Sequence, residues 1–258
     1  MVYLPRSFKI QHSQFKIPMR VVVVLPTYNE ADNISLLIPE LLKLPALSVC
    51  VVDDNSPDGT GKMADEWAAR EPRVQVVHRA GKLGLGTAYV AGFHFALDHG
   101  FDAALTMDAD FSHHPKYIPA MLEQIAQHDL VIGSRYVPGG DVLYPLHRRL
   151  MSKTANAAAR IALGLKPRDC TAGFRLYRAQ VLRTVPIDHI FSNGYSFLTE
   201  MLNHVQGYGF SIAEVPIIFE DRVRGQSKIS SKEIFKAGYT VARLTYRRVR
   251  DKLFGSRK

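Results

Sequence analysis

The segment Met107-Asp108-Ala109-Asp110 places two carboxylates one residue apart, directly after an apolar run. Such a pair can share one hard divalent cation. Mg²⁺ and Mn²⁺ prefer oxygen ligands and keep positions open for water and phosphate oxygens. By itself the pattern also fits two turn or capping aspartates. Ser112, His113 and His114 follow. Ser112 offers a weak third oxygen ligand. The adjacent histidines lack further His or Cys partners at zinc-ligand spacing and read as pocket or loop residues. Cys50 and Cys170 have neither metal-knuckle nor redox-pair spacing, and Cys50, inside an apolar run, reads as core.

Two more loops carry polar groups at the ends of apolar runs. Asp53-Asp54 leads into Asn55-Ser56-Pro57-Asp58-Gly59, a placement that suits one carboxylate accepting hydrogen bonds from a ribose or a base. Pro26-Thr27-Tyr28-Asn29-Glu30 follows the first run; Tyr28 can cover a base while Glu30 accepts from exocyclic nitrogens. Lys82-Leu83-Gly84-Leu85-Gly86 is either a turn close to a bound nucleotide or an ordinary strand–helix connection. No Gly-x-Gly-x-x-Gly follows the first run and no Gly-x-x-x-x-Gly-Lys-Ser/Thr is present, which argues against dinucleotide and P-loop folds.

Elements at fixed intervals must position these loops. Strands are expected at Val21–Leu25, Val49–Asp53, Val74–His78, Ala103–Asp108 and Leu130–Gly133. Helical spacing occupies Asp32–Leu44, Gly59–Arg70, Gly84–His99 and Pro115–Gln127, with Asp58 as an N-cap, Pro115 in a first turn and Pro39 as a threat to continuity. This alternation predicts a mainly parallel, helix-covered sheet whose ligands bind beyond the carboxyl ends of its strands. The second half is less regular. Helices are expected at Arg148–Leu163, Ser192–Val205 and Ser231–Arg250, and a strand at Val215–Phe219.

The chain of 258 residues is 47% hydrophobic, enough for one large core. Its net charge of +9 is unevenly spread. Residues 1–130 carry 11 Lys and Arg against 15 Asp and Glu, a net of −4; residues 131–258 carry 22 against 9, a net of +13. The basic half suits anionic lipid, substrate phosphates or nucleic acid, but no nucleic-acid motif accompanies it. The first 20 residues lack a signal-peptide core, and no apolar stretch reaches the length of a spanning helix. A soluble or peripheral protein is expected, cytoplasmic, at the cytoplasmic face of a membrane. The basic amphipathic pattern of Ser231–Arg250 fits either a membrane interface or a helix docked on the domain.

Taken in order, Leu25-Pro26-Thr27-Tyr28-Asn29-Glu30, Val52-Asp53-Asp54-Asn55-Ser56-Pro57-Asp58-Gly59-Thr60, Lys82 through Tyr89, Asp108 through Pro115 and Gly133-Ser134-Arg135-Tyr136 resemble family 2 glycosyltransferases. Thr171 through Arg178 and Phe219 through Lys228 narrow the resemblance to dolichol-phosphate mannose synthases and related polyprenol-phosphate mannosyltransferases. The resemblance implies a nucleotide-diphospho-sugar transferase fold of GT-A type with a basic C-terminal elaboration. It implies an N-terminal extension over 1–19, a catalytic domain over 20–230, and a basic amphipathic helix and tail over 231–258. GDP-mannose would be the donor and a dolichyl or polyprenyl phosphate the acceptor, with a membrane surface and a membrane-anchoring subunit as further partners.

Carried over by position, Pro26, Tyr28, Glu30, Val52 and Asp54 would hold the nucleoside. Asp108, Ala109 and Asp110 would surround Mg²⁺ or Mn²⁺ and the diphosphate, with Ser112 as the weak third ligand. Arg135, Arg222 and Lys228 would bind phosphates; Arg148 and Ser152 would meet the acceptor phosphate. Asp110, Arg135 and Arg222 are the residues expected to act in catalysis. The expected reaction is direct displacement with inversion, without a dedicated base, and Glu200 is expected on a helix surface or in a supporting role. Two rivals stand beside it: a polyprenyl-phosphate glucosyltransferase using a UDP-sugar, and a non-catalytic basic membrane-binding module.

Overall fold

The computed structural model describes residues 19–194, 196–220 and 231–254. Its strands are β1 (Val21–Thr27), β2 (Leu47–Asp53), β3 (Val74–His78), β4 (Ala103–Thr106), β5 (Leu130–Ser134), β6 (Asp141–Val142), β7 (Arg175–Arg178), β8 (Ile212–Pro216) and β9 (Ile218–Phe219). The helices are α1 (Ala31–Leu42), α2 (Thr60–Arg70), α3 (Leu85–Asp98), α4 (Ile118–Ile125), α5 (Leu146–Leu163), α6 (Ala179–Thr184), α7 (Ser196–Gly207) and α8 (Ser231–Phe254).

Seven of these strands form one sheet in the order β3-β2-β1-β4-β7-β5-β8, while β6 and β9 pair separately. Every pairing in the large sheet is parallel except the two made by β7. Because β7 runs against both neighbours, β1, β2, β4 and β5 all end at one rim, and β7 begins there.

Alternation along β1 explains the two-sided core. Val22 and Val24 face one cluster with Cys50, Phe93, Tyr177 and Phe197, and Val21, Val23 and Leu25 face the other with Ile34, Leu37, Ile118 and Phe174. Close approach has a local requirement: a Cβ on Gly92 of α3 would be driven into Val24 of β1. Burial pushes the Cys50 thiol up to about 12, as suits an inert core residue.

The first half follows the expected alternation, with corrections at boundaries. β4 ends at Thr106 rather than Asp108, so the paired aspartates lie in the loop. Pro39 does not break α1, which continues to Leu42. The segment after Pro115 opens as a 3-10 turn, Pro115–Tyr117, capped by His114 Nδ1 accepting from Lys116 N, before α4 begins. Asp58 does cap, although Gly59 is the residue before α2: its carboxylate accepts from Thr60 N at 3.0 Å and from Ala31 N at 3.2 Å, serving two helix starts.

The larger corrections fall in the second half. The expected Val215–Phe219 strand is two, β8 and β9, parted at Ile217, whose N–H donates to Ser134 O. β7 and α6 have no counterpart in the sequence-based expectation. Arg178 at the end of β7 closes α4, with Nε and Nη2 donating to the carbonyls of Ile125, Ala126 and His128. Helix α7 starts at Ser196, later than Ser192, because Ser192 is held in a loop by Glu200. α8 packs against α5 and α7.

Candidate active site

Three loops leave the common rim, and each contains a non-glycine residue with positive φ: Asn29 at 60°, Asn55 at 55° and Phe111 at 63°. Left-handed backbone at non-glycine positions is uncommon and persists where surrounding contacts impose it. Here those contacts are visible. Asp53 accepts from Thr27 Oγ1 at 3.0 Å, from Ser56 N at 3.0 Å and from the Ser56 hydroxyl, which in turn accepts from Asn29 N. Asp53 therefore ties the β1 and β2 loops together, and the neighbouring Asp54 is the carboxylate left for other work.

Asp54 lies beside Arg79 at 3.0 Å, both side chains 8% exposed. The two atoms meet as an ion pair but off the hydrogen-bond direction. Burial pushes the Asp54 pKa up, opposed by the Arg79 guanidinium and the Leu83 N–H. Lys82 Nζ sits 4.2 Å above the Tyr28 ring. The Lys82–Gly86 turn thus lies beside Tyr28 and Asp54. Glu30 lies nearby but its Oε2 accepts from Asn33 Nδ2 at 2.7 Å, and its N–H donates to Thr60 Oγ1. Pro26 is the penultimate residue of β1 and half-buried. Val52 is wholly buried in the core, so its side chain presents no surface to a ligand.

The Asp108–Asp110 turn is built by its own sequence. Phe111, in left-handed conformation, turns the chain so that Ser112 N and Oγ donate to Asp110 Oδ1 at 3.1 and 2.6 Å. Asp108 N donates to His113 Nδ1 at 3.0 Å. Ala109 and Asp110 are buried, while the Asp108 side chain is 24% exposed. Among the described residues no set of three His, Cys, Asp or Glu could enclose a metal. Two carboxylates and a hydroxyl at a loop suit Mg²⁺ or Mn²⁺, whose remaining positions water and diphosphate can fill; they do not suit a closed zinc site. Ser112 is committed to Asp110 through its hydroxyl hydrogen and supports that carboxylate, whatever its oxygen lone pairs do.

Arg135 departs most from expectation. Its Nε and Nη2 form a bidentate pair with Asp169 at 2.7 and 2.8 Å, its N–H donates to the same carboxylate, and Nη2 also reaches Thr171 Oγ1. The Arg135 side chain is 10% exposed and Asp169 is wholly buried. It is a buried ion pair; a phosphate contact would have to run through Nη1. Burial opposes both charges, but the pairing dominates, raising the Arg135 pKa and lowering that of Asp169.

Beside it, Tyr136 OH meets Ser152 Oγ at 2.8 Å, and Arg148, one turn earlier on α5, lies 4.0 Å over Tyr144. Arg149 points elsewhere, into an exposed pair with Asp141. Arg135, Ser152 and Arg148 therefore share one neighbourhood, joined by Tyr136, Tyr144 and Phe219. Arg222 and Lys228 lie outside the described residues. Glu200 is not on a helix surface. Wholly buried, it accepts from Phe191 N, Ser192 N and Ser192 Oγ, and against burial the neighbouring His204 and these bonds hold its pKa low.

Sequence reasoning missed Arg79, Asp169, Tyr136, Tyr144 and Phe219 as members of this rim. Arg79 stood one residue past an expected strand, and Tyr136 and Phe219 lay inside motifs that carried the family resemblance; Asp169 and Tyr144 carried no signal.

Residues 22–185 match the model of Glycosyl transferase family 2. The chain belongs to glycosyltransferase family 2. This family 2 transferase is 46% identical over 227 residues to the undecaprenyl-phosphate mannosyltransferase of Micrococcus luteus, covering 87% of this chain and 93% of that one. It is 45% identical over 227 residues to the polyprenol monophosphomannose synthase of Mycolicibacterium smegmatis, covering 86% of each. Among solved structures, a mannosyltransferase from Pyrobaculum calidifontis in complex with GDP-Man and Mn²⁺ superposes with a TM-score of 0.60 at 17% identity, over 90% of this chain and 65% of the other. That likeness carries the fold, a GT-A type nucleotide-sugar transferase with a mostly parallel central sheet.

Proposed function

We propose that this chain transfers mannose, with inversion, from GDP-mannose to a dolichyl or polyprenyl phosphate, releasing GDP. The observation that carries the reading is one rim bearing both halves of the chemistry, the Asp108–Asp110 turn and the Arg135–Ser152–Arg148 cluster. The names of the two curated relatives support the same acceptor class.

In this reading Tyr28 and Asp54 hold the nucleoside, with Pro26, Glu30 and the backbone around Val52 shaping its pocket. Asp108 and Asp110 would hold Mg²⁺ or Mn²⁺, which supplies neutralisation of the charge that grows on the departing diphosphate. Arg222 and Lys228 would add positive charge at the same diphosphate. A phosphate monoester has a second pKa of about 6 and is already an anionic nucleophile at pH 7. No general base is needed, and Glu200, buried and held by three donors with His204 beside it, is not available as one. Arg148, Ser152 and the Nη1 edge of Arg135 would orient the acceptor oxygen for in-line attack.

Thermal shift and initial-rate assays with Mn²⁺ test the donor. GDP and GDP-mannose are expected to stabilise the protein, and labelled mannose is expected to pass to a short polyprenyl phosphate. A shift from UDP and UDP-glucose alone would overturn the donor assignment.

The acceptor is a lipid, so a peripheral position at the cytoplasmic face of a membrane belongs to the proposal. No helix among the described residues is long and apolar enough to span one. Leu146, Leu150 and Ile161 of α5 are 81, 61 and 77% exposed, and Phe235 and Tyr246 of α8 are 78 and 68% exposed. Arg148, Arg149, Lys153, Arg243, Arg247 and Arg250 flank them. Apolar stripes with basic flanks suit an anionic interface. The double variant Leu146→Asp/Leu150→Asp is expected to weaken sedimentation with phosphatidylserine vesicles about tenfold or more. GDP binding should stay unchanged; undiminished vesicle binding would remove α5 from the membrane face.

A further inference from the structure

His113 is buried in function-bearing surroundings, yet nothing in the reaction above uses it. Its Nδ1 accepts the backbone N–H of Asp108 at 3.0 Å. A backbone N–H only donates, so Nδ1 carries the lone pair and the imidazole hydrogen sits on Nε2. Aromatic neighbours on two sides fix the ring. Phe174 stacks on it at 5.1 Å with 14° between planes, and Phe219 meets it edge-on at 5.4 Å. The Phe174 ring is in turn seated over Gly133, where a Cβ would clash with it. The imidazole is thus a rigid acceptor post five residues beyond Asp108, at the far end of the turn that Phe111 reverses.

We infer that His113 is a positioning residue for the divalent-cation site: its Nδ1 fixes the backbone of Asp108, so that the Asp108 and Asp110 carboxylates meet one cation together. The inference rests on the metal-and-donor reading above. Ser112 fixes Asp110 through its side chain, while His113 fixes Asp108 through the main chain, so the two members of the pair are held by independent contacts.

Two substitutions separate the acceptor from the ring. H113F keeps an aromatic ring between Phe174 and Phe219 but removes the acceptor. H113N loses the ring but keeps an oxygen at the position of Nδ1. Mn²⁺ binding to the GDP-saturated protein, read from the paramagnetic resonance signal of free Mn²⁺, is the measurement, with GDP affinity in EDTA and melting temperature alongside.

H113F is expected to weaken Mn²⁺ at least about tenfold while metal-free GDP affinity stays within about twofold; H113N is expected to stay within about threefold of the unsubstituted protein for Mn²⁺. A merely structural role would move both affinities together. Unchanged Mn²⁺ binding in H113F overturns the assignment. So does a tenfold loss in H113N, whether or not H113F folds. Failure of the underlying reading looks different: the unsubstituted protein with GDP binds no Mn²⁺, and the inference falls with it.

Discussion

Asp110→Ala is expected to lower mannosyl transfer roughly a thousandfold, a loss of the size seen when charge stabilisation is removed where it develops. Asp110 is buried at the rim, and its Oδ1 is oriented by two donors from Ser112. Oriented carboxylates at a loop hold a cation more effectively than mobile ones, so the loss should fall on the chemical step and on Mn²⁺ dependence. The fold should survive. Two hydrogen bonds to Ser112 disappear, at a cost of about 1 kcal/mol each, and no apolar packing depends on the carboxylate. Initial rates at saturating GDP-mannose and Mn²⁺ measure the first effect. Vesicle sedimentation measures the second, and is expected to be unaltered, because the apolar and basic residues of α5 and α8 are elsewhere. Undiminished transfer would remove the metal site from the mechanism.

Asp169→Asn should produce the largest change in stability, about 3–5 kcal/mol, because it leaves the Arg135 guanidinium buried without its counter-charge. Asp169 accepts from Arg135 N, Nε and Nη2 and from the N–H groups of Thr171 and Ala172. One carboxylate thus joins the β5 loop to the segment that enters β7. Burial alone would raise its pKa; Arg135 and these hydrogen bonds overcome burial and lower it. A folded-state pKa below the unfolded value of about 3.9 means stability present above about pH 4 and lost as pH falls through the folded value. The wild type should therefore lose part of its stability below about pH 4, and Asp169→Asn should lack that component. Urea midpoints at pH 7 and on an acid series report both. A loss under about 1 kcal/mol at pH 7 would show that the pair adds little beyond packing.

Several candidate site residues were legible before any coordinates because local sequence determines their placement. Asp108 and Asp110 sit where an apolar run must emerge from a buried sheet, and the turn that presents them is made by Phe111, Ser112 and His113 within five residues. Tyr28 and Asp54 follow β1 and β2 for the same reason. Arg148 and Ser152 were legible as a pair only through resemblance; the four-residue spacing puts them on one helix face, but nothing local says that face meets Tyr136 and Tyr144. Arg135 was visible, but its buried partner was not. Its neighbours in sequence do not include a carboxylate, and Asp169 reaches it across 34 positions.

By itself the sequence determined the alternation of β1 through β5 with α1 through α4, the rim where their loops gather, and the oxygen-rich turn on that rim, because hydrophobic period and turn chemistry act over a few residues. Tertiary structure alone decided that β7 is inserted antiparallel between β4 and β5, that Asp169 neutralises Arg135, and that Asp53 ties loops while Asp54 faces Arg79. A strand of four residues has too short a pattern to declare its direction, and the partner of a buried charge is selected by the fold that brings distant segments into the same low-dielectric space.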